Sequence, residues 1–165
     1  MAKMCFDVDS RVPLSSAILE HHAAKFYKAI IERIKEPDAR LLLVDIYLER
    51  IMRKEIMKTL AGTKRLPRDL PTDAEPYIAK VVFESVEFLK SMTKRVKEGD
   101  GVKMLLSSML VYESSVGKEY ASLVLAKGFG LATGDEVAKM IFDDMSVEEA
   151  HVKYIKKALE IIKST

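Results

Sequence analysis

The stretch that decides the fold is residues 14–34, LSSAILEHHAAKFYKAIIERI. Ala17, Ala24, Tyr27, Ile31 and Ile34 recur in it at helical spacing and form one stripe. Lys35, Glu36 and Pro37 end the helix, because a proline disfavours the helical conformation of the residue before it. Glu20 lies seven residues before Tyr27, close to two helical turns, so a carboxylate shares the face with apolar and small residues.

The rest of the chain repeats this kind of segment. Asp38 reads as the N-cap of a second helix running to about Leu60. So short a connection makes the first two helices antiparallel neighbours. Ala61 to Pro71 is a polar loop holding Gly62 and Pro67. A third helix is expected from Thr72 or Asp73, where Thr72 and Glu75 have capping-box spacing, to about Lys97, stopped by Gly99-Asp100-Gly101. A fourth spans Val102 to Lys127, with Gly128 as its C′ residue. The last begins near Thr133 and Glu136, again spaced as a capping box, and reaches Lys163. Helices of ~22–28 residues are ~33–42 Å long. Long helices on short loops predict an all-α up-and-down bundle, a single domain over 14–165 behind a tail at 1–13.

Composition agrees with that class. The 165 residues are 48% hydrophobic and 32% charged, a globular balance, and 7 Gly with 5 Pro are too few turn-makers for an all-β chain. A net charge of +2 gives no reason to expect nucleic acid, and the basic loop Lys64, Arg65, Arg68 is too slight to change that. No apolar run approaches the ~20 residues of a membrane span, and no secretory leader opens the chain, so a cytoplasmic protein away from membranes is expected. The single Cys5 excludes an intramolecular disulfide and a cysteine-rich metal knuckle.

The two halves match each other. With Glu20 laid over Glu113, Tyr27 falls on Tyr120, Lys25 on Lys118 and Ala24 on Gly117. With Glu49 over Glu148, Asp45 falls on Asp144, Ile56 on Ile155 and Met52 on His151. The second copy therefore carries Glu148-x-x-His151, a carboxylate and an imidazole one helical turn apart. Four helices would each turn one Glu inward, with no Lys or Arg expected to face them. Such a bare cluster either takes up protons or is neutralised by cations. Two divalent ions balance four carboxylates, and inward Glu from two helices with Glu-x-x-His from two others is the di-iron or di-manganese arrangement. Affinity alone also admits zinc.

Blander readings stand beside this one. Tyr27 and Tyr120 equally suit core packing with the hydroxyl at a polar edge. His151 alone would be a surface or satisfied core histidine. Ser146 and Glu149 have capping-box spacing, which would make Glu148 a first-turn residue needing no metal. His21 and His22, Asp45, Glu84 and Glu87 read as surface, and Met52 as a core side chain.

At these residues the chain resembles the ferritin-like superfamily, in particular rubrerythrin-like di-iron proteins, over roughly 14–60 and 102–163. Glu113, Tyr120, Glu148 and His151 match the second-half pattern, MSVEEAH at 145–151 looks like the family's Glu-Glu-x-His segment, and Glu20, Tyr27 and Glu49 match the first half. Met52 departs from the pattern where a His belongs. The resemblance implies a four-helix bundle with an additional helix in the crossover between the pairs, and a homodimer. It implies iron (two ions) or manganese held by Glu20, Glu49, Glu113, Glu148 and His151, with Tyr27 and Tyr120 near the site. It implies oxidase- or peroxidase-like chemistry with dioxygen or peroxide. One Cys leaves no rubredoxin module, so a separate protein would donate electrons. The alternative expectation is a degenerate metal site in a bundle that acts by dimerisation or partner binding.

Overall fold

A computed structural model describes residues 11–68, 76–117 and 149–163. Among these residues every regular element is helical and no strand occurs. The helices are α1 Arg11–Ile31, α2 Pro37–Leu60, α3 Pro76–Glu98, α4 Val102–Tyr112 and α5 Glu149–Lys163. A π-helical turn at Glu113–Gly117 continues directly from α4. The expected all-α class holds, and no described helix is long and apolar enough to cross a membrane.

Two boundaries differ from expectation. The first helix is already present at Arg11, the edge of the described residues, so it includes Pro13 and begins before the expected Leu14. In α2 the N-cap is Glu36, without a side-chain cap bond, and Pro37 opens the helix. Its ring fixes φ near the helical value, which suits N1 better than N-cap duty suits Asp38. Asp38 remains in the first turn, favoured there by the macrodipole. The expected caps at Thr72 and Thr133 and the C′ residue Gly128 lie outside the described residues.

Glycine ends both α2 and α3 in the same way. Gly62 has φ 66° and Gly99 φ 94°, a region that costs glycine little. Gly62 N–H donates to Thr59 O and Thr63 N–H to Lys58 O, both at 3.0 Å. Gly99 N–H donates to Val96 O and Asp100 N–H to Arg95 O, at 3.3 and 3.1 Å. This is the Schellman pairing, which satisfies carbonyls the helix leaves open. Arg33, just past α1, also donates to Val96 O, Gly99 O and Asp100 O at 3.2, 3.3 and 2.6 Å. The C-terminal ends of α1 and α3 are thereby tied together, and the two helices run parallel.

α1 packs on α2 and α3, α5 on α2 and α4, and α3 on α4. Ala17 of α1 lies with Met57 near the end of α2, so these two are antiparallel as expected. α4 starts beside the Arg33 end and reaches Tyr27 at Glu113, so it runs against α1. The expected stripe of α1, Ala17, Ala24, Tyr27, Ile31 and Ile34, is buried throughout. α3 covers its own apolar face within this core: Val82, Val86, Leu89 and Met92 are all buried, and Phe88 stacks on Tyr112 of α4 at 4.9 Å.

α3 is thus a structural member of the core, which gives a stability test. Leu89→Ala should cost about 2–5 kcal/mol, while the exposed Phe83→Ala should stay within about 0.5 kcal/mol. Urea denaturation of both variants checks the contrast.

Candidate functional site: an arginine among carboxylates

The stripe that α2 buries is Ala39, Leu43, Ile46, Arg50, Arg53 and Met57. Steps of four and three residues alternate along it, the helical core period. Two of its positions are arginines, with relative exposures of 2% at Arg50 and 3% at Arg53. Other helices also place a polar residue in the core: Glu20 on α1 and Glu113 just after α4 are each 3% exposed, and His151 on α5 is 0% exposed.

Arg50 joins them. Its Nη1 donates to Glu20 at 3.0 Å to Oε2 and 3.3 Å to Oε1. Its Nη2 lies 2.7 Å from both Oε1 and Oε2 of Glu113. The same Nη2 is 3.2 Å from Nδ1 of His151. A guanidinium has only N–H groups to offer, so Nδ1 must accept there. The ring proton then sits on Nε2 and is donated to Glu49 Oε2 at 2.5 Å. Tyr27 closes the network by donating its hydroxyl to Glu113 Oε1 at 2.9 Å. Arg53 Nη2 lies 3.9 Å from Glu49 Oε2.

The expected cluster is therefore corrected in its central feature. Glu20 and Glu113 do turn inward, but Arg50 faces them, where no cation from the chain was foreseen. Glu49 is not fully enclosed: its side chain retains 32% exposure. It sits one position before Arg50, so it flanks the buried stripe of α2 instead of lying on it. Tyr27 is a core side chain and a partner of Glu113 at once. Met52 is 48% exposed, not a core side chain. His21 and His22 are half-buried rather than fully on the surface, edge to face at 5.4 Å. Asp45, Glu84 and Glu87 are exposed as expected. Glu148, Tyr120 and Asp144 lie outside the described residues.

The turn that presents Glu113 is itself irregular. Ser114 Oγ donates back to Leu110 O at 2.6 Å and Ser115 Oγ to Val111 O at 2.7 Å. Such back-bonding competes with the helical ladder and loosens it. The π turn begins at Glu113, and π segments recur at functional sites. The helical period alone predicts an uninterrupted helix over this stretch.

Among the described residues, the expected ligands Glu20, Glu113 and His151 are engaged by other side chains. Both oxygens of Glu113 and of Glu20 are engaged by a guanidinium whose charge cannot be titrated away. Both nitrogens of His151 are engaged as well, one by Arg50 and one by Glu49. Among the described residues, no group of three or more His, Cys, Asp or Glu side chains is arranged to hold a metal ion. Among the described residues, the carboxylates Glu20, Glu49 and Glu113 stand against the guanidinium groups of Arg50 and Arg53. No family model, curated protein or solved structure matches the chain.

The electrostatics follow from these contacts. Burial pushes the Glu113 carboxyl up, but the charge of Arg50 and the hydrogen bonds from Tyr27 and Arg50 hold it below the usual range. The hydrogen bond from His151 holds Glu49 down against the opposing effect of burial. Burial pushes Tyr27 well up, helped by Glu113, so it stays a donor. Burial, then His21 and Lys25, push His22 down to about 4.

Two predictions follow from this geometry. Arg50→Ala leaves two buried carboxylates uncompensated and should cost about 3–5 kcal/mol in urea denaturation. Stability should also fall with acid, in two windows. His22 binds its proton less readily folded than unfolded, so its contribution is present above its ordinary value of 6.5 and is lost as pH falls toward about 4. Glu49 and Glu113 contribute above the ordinary carboxylate value of 4.5, and that is lost as pH falls through their lower folded values. Thermal melts from neutral to acidic pH should show the upper window flattened in His22→Gln and the lower one in Glu49→Gln.

Proposed function

We propose that this chain is a ferritin-like helical bundle whose carboxylate centre is closed by an arginine, and that it acts by association with a second copy of itself. The observation that carries this is the contact of Arg50 with both Glu20 and Glu113 inside the core. The architecture supports the ferritin-like part. α3 returns the chain along the bundle between the pair α1 and α2 and the pair α4 and α5, as a helix in a crossover would.

An inner site already filled and hydrogen-bonded leaves the surface to carry the function. Leu41, Leu48 and Met52 are 69%, 57% and 48% exposed on α2. Steps of seven and four residues put them on one face, opposite the stripe that holds Arg50. A self-complementary helix face of this kind suits an isologous dimer. In this reading the protein works in the cytoplasm without an electron donor, dioxygen or peroxide.

A second reading rests on Glu49, the partly exposed carboxylate of the network. With His151, it would hold a single iron, manganese or zinc ion. Such an ion would supply redox or Lewis-acid chemistry at the rim of the bundle. Tyr27, bonded to Glu113 deeper inside, would then orient that carboxylate without touching the ion.

Elemental analysis of protein purified without added metal separates the readings, followed by anaerobic Fe(II) addition. The expected result is substoichiometric metal, no optical change, and a dimer by light scattering that Leu48→Glu converts to monomer. Stoichiometric iron or manganese with oxygen uptake would overturn the first reading. One tightly held ion lost in Glu49→Ala would favour the second.

A further inference from the structure

Positive charge gathers toward the C-terminal end of α2 and the loop after it. Residues 53–68 hold six basic side chains and one acidic one, in a chain whose net charge is only +2. Within that run the side chains of Lys54 and Lys58 retain 18% and 19% exposure, so their stems are enclosed while their ammonium groups reach a half-exposed partner. Both converge on one carboxylate. Lys54 Nζ lies 3.2 Å from Oε1 of Glu55, and Lys58 Nζ 2.9 Å from Oε2.

On the α1 side stands His21, half-buried. The charges that bear on its imidazole are those of Lys25 on its own helix and of Lys54 and Lys58 on α2, and all are positive. Among the described residues, Glu55 pairs with Lys54 and Lys58, and Lys25 makes no ion pair. Three ammonium groups from two helices thus share one carboxylate. Like charges so gathered repel one another unless an anion stands among them. The macrodipole accounts for Lys58, in the last turn of α2, but not for Lys54 or Lys25, which lie six residues from the ends of their helices.

We propose that Lys25, Lys54, Lys58 and His21 form a binding site for a phosphate group. Lys54 and Lys58 already set N–H donors on two oxygens of an anion. A tetrahedral phosphate presents those two oxygens and leaves others for Lys25 and for a ring N–H of His21. It carries up to two negative charges where Glu55 carries one. Glu55 is then an internal competitor, which holds the lysines together and gives way when phosphate arrives. Enclosed stems lose little freedom on binding, so the donors are partly organised beforehand.

Inorganic phosphate is the probe, titrated into the full chain at constant pH and ionic strength, with chloride as the balancing ion, and followed by NMR. Phosphate should bind saturably, moving the imidazole signals of His21 and leaving those of His151, buried on α5, in place. Lys54→Gln and Lys58→Gln should each weaken binding about fivefold, the scale of one exposed charge pair. Glu55→Gln should tighten it by about the same factor, because the competitor is gone. Glu160→Gln makes the same charge change beside Lys157 on α5 and should leave binding unchanged. Methyl phosphate separates two sources of the group: binding as tight as that of inorganic phosphate assigns the site to a monoester, and weaker binding to the free ion.

Signals that respond no more to phosphate than to chloride would overturn the proposal. So would Lys54→Gln and Lys58→Gln chains that bind as wild type does, or a Glu55→Gln chain that binds no tighter than Glu160→Gln.

Discussion

One guanidinium, that of Arg50, touches two carboxylates and an imidazole in the interior of this bundle. Each partner comes from a different segment, so a single side chain ties α1, α2, α5 and the turn after α4 together. A charge so placed would be costly alone, and so would each of its partners. Together they satisfy one another, and the planar fork of an arginine suits paired carboxylate oxygens better than an ammonium would. Such a network adds little over an apolar core of equal volume, but losing any one member strands the rest. Its contribution is to fix the relative position of the helices around it, because hydrogen bonds are directional and apolar contacts are not.

The helices were legible from the apolar period alone. Ala17, Tyr27 and Ile34 gave the buried face of α1, and Val82, Val86 and Leu89 that of α3. Glu20 was legible as an inward carboxylate because it falls in phase with that first stripe. Arg50 was legible by the same rule and was missed. Alignment on Glu49 drew attention to the wrong side of α2. Stepping by alternate fours and threes from Leu43 through Ile46 arrives at Arg50 and Arg53, and passes Glu49 by. An arginine at a core position is unusual in composition but ordinary in phase, and phase decides which way a helical side chain points.

Other differences came from local backbone chemistry. The π turn at Glu113 coincides with two adjacent serines whose hydroxyls bond back four residues. A period analysis counts serine as polar and does not register that effect. The start of α2 was misplaced by one residue because Asp38 is a good cap by type, while Pro37 is fitted by its fixed φ to the position before it. His22 is half-buried between charged neighbours on α1 and α3, which no single-helix projection reveals.

The same geometry separates fold from chemistry. Inward carboxylates on a helical bundle invite a metal, but the identity of the group between them decides what the centre can do. Here that group is a side chain whose charge is permanent. High-resolution crystallography with anomalous data at the iron and zinc edges tests this most directly. The expected result is planar density continuous with the Arg50 side chain between Glu20 and Glu113, without an anomalous peak. An anomalous peak bridging those two carboxylates, with Arg50 turned away, would contradict it.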